Sequence, residues 1–532
     1  MRRADARKPK VTRRAWLRGA LAAGALGGCE PRRPRLPFDP RLAPDGGLFG
    51  TLEPPRPRSY ATFEHGVASG DPLADAVVLW TRVTPGGPDE APEERYEVRY
   101  EVARDPRFEA VVVADVTSAE ARRDWTVKLD VGGLAPATTY YYRFHARGDV
   151  SPVGRTRTAP DGSAERLRFA LASCASLGHG FFHAYSAIAR RDDLDAVIHL
   201  GDYLYEYASG TYGLRRALEP AQALVGLMQY RARYAQYRRE PSLAEAHRRH
   251  PWITVWDDHE SANDSWPGGA ENHDPWREGP WEDRLAAAMR AYREWMPVRD
   301  GADPRRLFRA LPFGELCELV VLDTRAWGRT AQVWDDHDPR RHEVERELLG
   351  ADQHAWLFER LARTRARWKL VAQQVMLSHV RGIPHADQWD GYPAARARLL
   401  RDLEASRPRD VVFLTGDVHS SWAFDVAASP FDAAAYDPAT GRGALAVEIV
   451  TPAVSSPGLD AGSAARLVAS HPHLAWANLS ARGFVVVDLD AERARADWIH
   501  VGDVEDEHDE TETLAASFET RAGVSHLVPT PP

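Results

Sequence analysis

The chain has 532 residues and 44% hydrophobic content, enough for more than one folded unit with a sizeable core. Its formal net charge is -9; residues 1–28 hold eight Lys/Arg and one acid, so the rest sets 60 basic against 76 acidic side chains and excludes a general nucleic-acid surface. The longest apolar run lies in the first 30 residues, and no later run is long enough for a bilayer-spanning helix.

Residues 1–29 read as an export signal. Thr12-Arg13-Arg14-Ala15-Trp16-Leu17-Arg18 precedes a mildly apolar stretch, and the paired arginines resemble a substrate of the twin-arginine export machinery. Leu26-Gly27-Gly28-Cys29 resembles a lipoprotein processing site, which makes Cys29 a candidate lipid anchor to a membrane. The other two cysteines, Cys174 and Cys317, either pair or stay free. Residues 30–60 are Pro-rich and aperiodic, as in a linker.

Residues 61–160 carry β signals. Runs such as Val77 to Val83, Tyr96 to Val102 and Tyr140 to Phe144 are separated by Gly, Pro and Asp, and two of them alternate apolar and polar residues. The stretch before Tyr140 resembles the corner of a fibronectin type III domain, so a small all-β fibronectin III/Ig-like sandwich is expected. Residues 161–502 alternate strand and helix patterns, which predicts a layered α/β domain with sheets sandwiched by helices. Helices are expected over Ala221 to Arg238 and Asp283 to Trp295. The acidic run from Asp503 to Glu510 predicts a solvated tail over 503–532.

Chemistry concentrates where apolar runs end. The run 169–172 leads into Cys174, 196–200 into Gly201-Asp202, 253–256 into Asp257-Asp258-His259-Glu260, and 411–414 into Gly416-Asp417-Val418-His419. Strand ends at one sheet edge form ligand sites in α/β folds. Asp and His there suit a pair of cations bridged by a carboxylate, the arrangement of a two-metal hydrolase.

These segments resemble the alkaline phosphatase D family of metallophosphatases over nearly the whole chain after the signal. The resemblance is carried by Phe63 to Pro72, His199-Leu200-Gly201-Asp202-Tyr203-Leu204-Tyr205-Glu206-Tyr207, Trp256 to Glu260 with Asn263, Leu322-Asp323-Thr324-Arg325, Gly416 to Trp422, and Thr451-Pro452-Ala453-Val454-Ser455-Ser456-Pro457-Gly458. It implies iron (Fe3+) held by Cys174, Tyr205, bridging Asp202 and His419, since thiolate and phenolate suit a ferric ion. It implies calcium (Ca2+) held by Asp202, Asp258 and Asp417, because a hard cation prefers oxygen donors. Gln373 stands where related enzymes place an amide or imidazole ligand, and it reads equally as a metal ligand or as a core-edge amide. His259 is implied as the catalytic donor to the leaving group, with Glu260 and Asn263 to orient it, and Asn263 and Arg325 are candidate substrate contacts.

The expected activity is exported hydrolysis of phosphomonoesters or phosphodiesters, with small phosphate esters, phospholipids or teichoic-acid-like polymers as substrates, in the periplasm or at the cell surface. Two alternatives stand beside it: a phospholipase D-type diesterase on the same scaffold, and a surface binding protein with an inert body.

Overall fold

The computed structural model describes residues 62–86, 92–382 and 385–531. The signal over 1–29, its Cys29 and the linker over 30–60 lie outside the described residues.

Two mixed sheets face each other. In the larger, of ten strands, Ala196–His199 runs parallel to both Leu167–Ala172 and Pro251–Thr254. In the smaller, of seven strands, Cys317–Val321, Trp368–Gln373, Val411–Thr415 and Ala444–Val450 lie side by side in parallel. The parallel strands are mostly apolar and largely buried because both of their faces are covered. Phe169, Leu171 and Ile198 of one sheet share a core with Leu370, Val412 and Ile449 of the other. Phe169 and Phe313 meet edge to face across the layers at 5.0 Å.

Helices coat the outside. Leu227–Arg238, Pro241–Arg249 and Trp281–Trp295 supply Tyr234, Leu243 and Trp295 to the core of the larger sheet, and Ala351–Arg363 and Pro393–Ser406 supply Leu357 and Leu399 to the smaller. The first of these begins at Leu227 rather than at Ala221, because the Gln229 side chain caps the chain at Val225 and Gly226 with two 2.8 Å bonds. The four expected chemical strand ends are divided between the sheets instead of lining the edge of one.

The amino-terminal β region departs from a free-standing sandwich. Arg95–Ala103, Val111–Glu120 and Thr139–Ala146 form a five-stranded sheet with two short strands, and alternate residues of Arg95–Ala103 and Thr139–Ala146 are buried. Its apolar face packs on Val67, Val77, Leu79 and Val127. Those residues lie on Val67–Gly70, Ala76–Arg82 and Thr126–Gly132, which continue the ten-stranded sheet. The join is made by Ser69 and Gly70, which pair with Pro251 and Trp252. A Cβ at Gly70 would lie 2.2 Å from the Pro297 carbonyl oxygen and 2.5 Å from that of Trp252, so only glycine permits this approach.

The carboxy-terminal stretch also differs from a solvated tail. Glu512–Arg521 is a strand paired along Arg493–Val501, and Phe518 and Thr520 are buried. The acidic run before it is a tied loop: Asp509 accepts from the Asp503 amide at 2.8 Å, and the Val504 carbonyl accepts from the Phe181 amide at 2.7 Å. The strand Glu512–Arg521 has no apolar–polar alternation to announce it, since its burial comes as one block near its end.

Candidate metal centre

Each chemical residue follows a strand through a sharp turn. Cys174, Asp202, Asp417 and His419 have φ values of 62°, 54°, 63° and 54°, a left-handed conformation that costs a non-glycine residue energy and recurs at functional sites. These turns fold the side chains back over the sheet ends, where Cys174, Asp202 and Asp258 are fully buried.

Asp202 lies at the centre. Candidate ligand atoms within 4.8 Å of one another occur in Cys174, Asp202 and His419; in Asp202, Asp258 and His259; in Asp202, Asp257, Asp258 and Asp417; and in Asp258, Asp264 and Asp387. Asp202 belongs to the first three sets and so stands between a sulfur- and nitrogen-containing position and a carboxylate-rich one. Tyr205 joins the first set: its hydroxyl donates to Asp202 Oδ2 at 2.9 Å and lies 3.2 Å from His419 Nε2. His419 Nδ1 is 3.0 Å from the Pro457 carbonyl; donation there leaves the Nε2 lone pair facing the cluster. Thiol, phenol, imidazole and shared carboxylate therefore fit one cation, and the oxygen-rich set fits a second.

The charge balance points the same way. Asp257, Asp258, Asp387 and Asp417 are buried around Arg325, Asp202 is buried beside three of them, and Arg329 binds Asp387. Burial together with neighbouring Asp258 and Asp417 pushes the Asp257 carboxyl well up, although Arg325 opposes this. Buried charge in such excess calls for cations.

His259 is buried, with Nδ1 2.7 Å from Glu206 Oε2. Burial pulls its pKa down, but Asp258, Asp202 and Glu206 outweigh that and push it up to about 10. Cations on Asp202 and Asp258 would offset part of this effect. Glu206 is in turn fixed by the Asn263 amide at 2.8 Å and by Asn272 Nδ2 at 2.6 Å.

Several expected residues occupy other roles. Glu260 does not orient His259; it accepts from the backbone amides of Asp202, Tyr203 and Asp257 at 3.0, 2.6 and 2.7 Å and fastens the two loops together. The Arg325 guanidinium is buried and bound to Asp257, to Asp387 at 2.7 Å and to Asp417 at 3.2 Å. Asn263 is likewise turned inward, its amide nitrogen donating to Asp264 at 2.8 Å and to Glu271 at 2.6 Å. Gln373 is buried, with its carbonyl 2.9 Å from Trp389 Nε1 and its nitrogen 3.3 Å from Thr415 Oγ1.

Glu206, Asp387 and Gln388 were missed as functional neighbours. Glu206 sits inside a motif already singled out, and its spacing from Asp202 was the available signal. Asp387 and Gln388 lie in a loop with no strand-end pattern, yet Asp387 binds Arg325 and Arg329, and the Gln388 amide donates to Asp417.

Two layered mixed sheets whose strand ends meet at overlapping candidate metal-ligand sets sharing Asp202 fit a metal-dependent phosphoesterase. The chain matches the family described as PhoD-like phosphatase over residues 169–498, and the PhoD-like phosphatase N-terminal domain over residues 50–160. It is 35% identical over 487 residues to alkaline phosphatase D of Bacillus subtilis (strain 168), covering 86% of this chain and 80% of that protein. A solved structure of PhoD aligns with a TM-score of 0.81 at 33% identity, covering 90% of this chain and 93% of the other. The chain belongs to the PhoD-like phosphatase family and is a hydrolase acting on phosphate esters.

Proposed function

We propose that this hydrolase is an exported enzyme that cleaves phosphomonoesters and phosphodiesters at two cations sharing Asp202. The observation that carries this is the position of Asp202, common to the Cys174/His419 set and to the Asp258/Asp417 set. Iron in the first position is supported by its thiol and phenol donors, and calcium in the second by its carboxylates. Cations held there supply Lewis-acid polarisation of the phosphoryl group and activation of water.

The protein's own groups do the rest. Glu206 fixes the His259 ring through Nδ1, so that Nε2 holds a proton for the leaving oxygen. Arg325 keeps Asp257, Asp387 and Asp417 in place as a buried counter-ion. The amino-terminal β region is proposed to be a fibronectin III/Ig-like sandwich that shares one of its sheets with the catalytic body. Export through the twin-arginine route and anchoring through Cys29 are proposed from the leading sequence.

Metal analysis of the purified protein, with turnover of an aryl phosphomonoester, an aryl phosphodiester and phosphatidylcholine vesicles, tests the reading. Iron and calcium together, and hydrolysis of the small esters that Asp202→Asn abolishes, are expected. Turnover confined to the vesicles would favour the phospholipase D-type alternative, and a zinc-only active enzyme would overturn the metal assignment.

A further inference from the structure

The segment Thr451 to Gly458 stands out in sequence, and the chemistry above uses only its Pro457 carbonyl, which receives His419 Nδ1. It leaves the seven-stranded sheet after Ala444–Val450 and crosses to the other sheet. Thr451 stays tied to its own sheet through its amide, 2.9 Å from the Thr415 carbonyl, while its hydroxyl donates to Leu171 of the facing sheet at 3.0 Å. Ala453 then bridges to Ser173 in parallel, and the Val454 amide donates to the Ser173 carbonyl at 2.9 Å. The backbone is thereby laid against the turn that carries Cys174 through one isolated parallel bridge.

From there it reaches three residues of one metal position. The Ser456 amide donates to the Cys174 carbonyl at 3.2 Å, and the Ser456 hydroxyl lies 2.9 Å from that carbonyl and 2.6 Å from the Tyr205 hydroxyl. The Pro457 carbonyl receives His419 Nδ1 at 3.0 Å. Cys174 and Tyr205 follow strands of the ten-stranded sheet and His419 follows one of the seven-stranded sheet. Their spacing therefore depends on how the two sheets are held together here.

We infer that Ser456 is a positioning residue: its hydroxyl fixes the Tyr205 oxygen against the Cys174 turn, and the 451–457 strap sets the geometry of the Cys174/Tyr205/His419 position. Ser456 is fully buried, and a serine hydroxyl has a single proton. When the Tyr205 proton goes to Asp202 Oδ2, Ser456 serves Tyr205 as donor and its own amide is left to hold the Cys174 carbonyl. Partners one shell out from a ligand orient it, and losing one typically costs about 10–100-fold in metal affinity or activity.

The inference rests on Cys174, Tyr205 and His419 forming one metal position, so the experiment begins with the metal content of the whole wild-type protein. Absence of metal there would remove that foundation, whatever Ser456 does. Given bound metal, Ser456→Ala should retain roughly 10–100-fold less of it under chelator competition. Ser456→Thr, which keeps the hydroxyl, should restore retention. Chelator-stripped Ser456→Ala should still unfold cooperatively, with its melting temperature lowered only by the loss of one buried hydrogen bond. If Ser456→Ala is poorly folded, a cycle with Tyr205→Phe decides: Ser456→Ala should add no further loss of metal retention to Tyr205→Phe. Wild-type retention in Ser456→Ala, or a full additional loss in the Tyr205→Phe background, would overturn the inference.

Discussion

Glu206 and His259 form the buried pair on which turnover should depend most directly, because the 2.7 Å contact fixes which imidazole nitrogen faces the cluster. His259→Ala should lower turnover by about 10²–10⁴-fold with metal content unchanged. Metal loss in proportion to activity would instead make His259 a ligand. Glu206→Gln keeps an acceptor for Nδ1 but removes a charge that favours the imidazolium, so a smaller fall, roughly tenfold, is expected from a weakened general acid. Arg325 differs in kind. Its buried guanidinium balances several carboxylates, so Arg325→Met should destabilise the fold by about 3–5 kcal/mol through the acids left unpaired. Denaturant titration would measure this; an unchanged stability with a raised KM would return Arg325 to the substrate.

At the scale of elements, the junction between the amino-terminal β region and the catalytic sheet rests on the strand Val67–Gly70. It is buried along its whole length and has neighbours on both sides, antiparallel to Ala76–Arg82 and parallel to Pro251–Thr254. Pro251–Thr254 leads directly into Asp257, Asp258 and His259, so displacement at Gly70 is felt at the centre. Gly70→Ala forces a methyl against two backbone carbonyl oxygens that cannot rotate away, with an expected cost of roughly 1–3 kcal/mol and a parallel loss of activity. Equal stability and turnover in the variant, by urea unfolding and ester hydrolysis, would show that the β region docks without influencing the site.

Across the whole molecule, several histidines that are not among the candidate metal ligands are buried in neutral form. Burial lowers His199 to about 3, His473 to about 3, His250 to about 4 and His500 to about 4. Unfolding restores an ordinary pKa of about 6.5, so the unfolded chain takes up protons first as pH falls. The stability these residues contribute is complete above that value and is lost as pH drops toward the folded values. At pH 5.5 each costs roughly 1.4 kcal/mol relative to neutral pH, so the four together should lower unfolding free energy by several kcal/mol. Urea midpoints at pH 7.5 and 5.5 measure it, and equal midpoints would contradict neutral burial.

Cys174, Asp202, Asp258, Asp417 and His419 are legible in the sequence because each follows a short apolar run, and a strand end is a local property that a few neighbouring residues determine. The α/β character of 161–502 is legible for the same reason, through the alternation of short apolar runs with helical periodicity. Local pattern does not say which strands become neighbours. The division of the strand ends between two sheets, the continuation of the larger sheet into Val67–Gly70 and the pairing of Glu512–Arg521 with Arg493–Val501 are all long-range pairings. Side-chain partners follow the same rule. Arg325 meets Asp257 from 68 residues away and Asp387 from 62, and Ser456 meets Tyr205 across 251. Sequence by itself determined the kinds of donor and their exit from strands; tertiary structure alone decided whether a given polar side chain faces a cation, a counter-ion or the core, because that depends on what the other sheet brings opposite it.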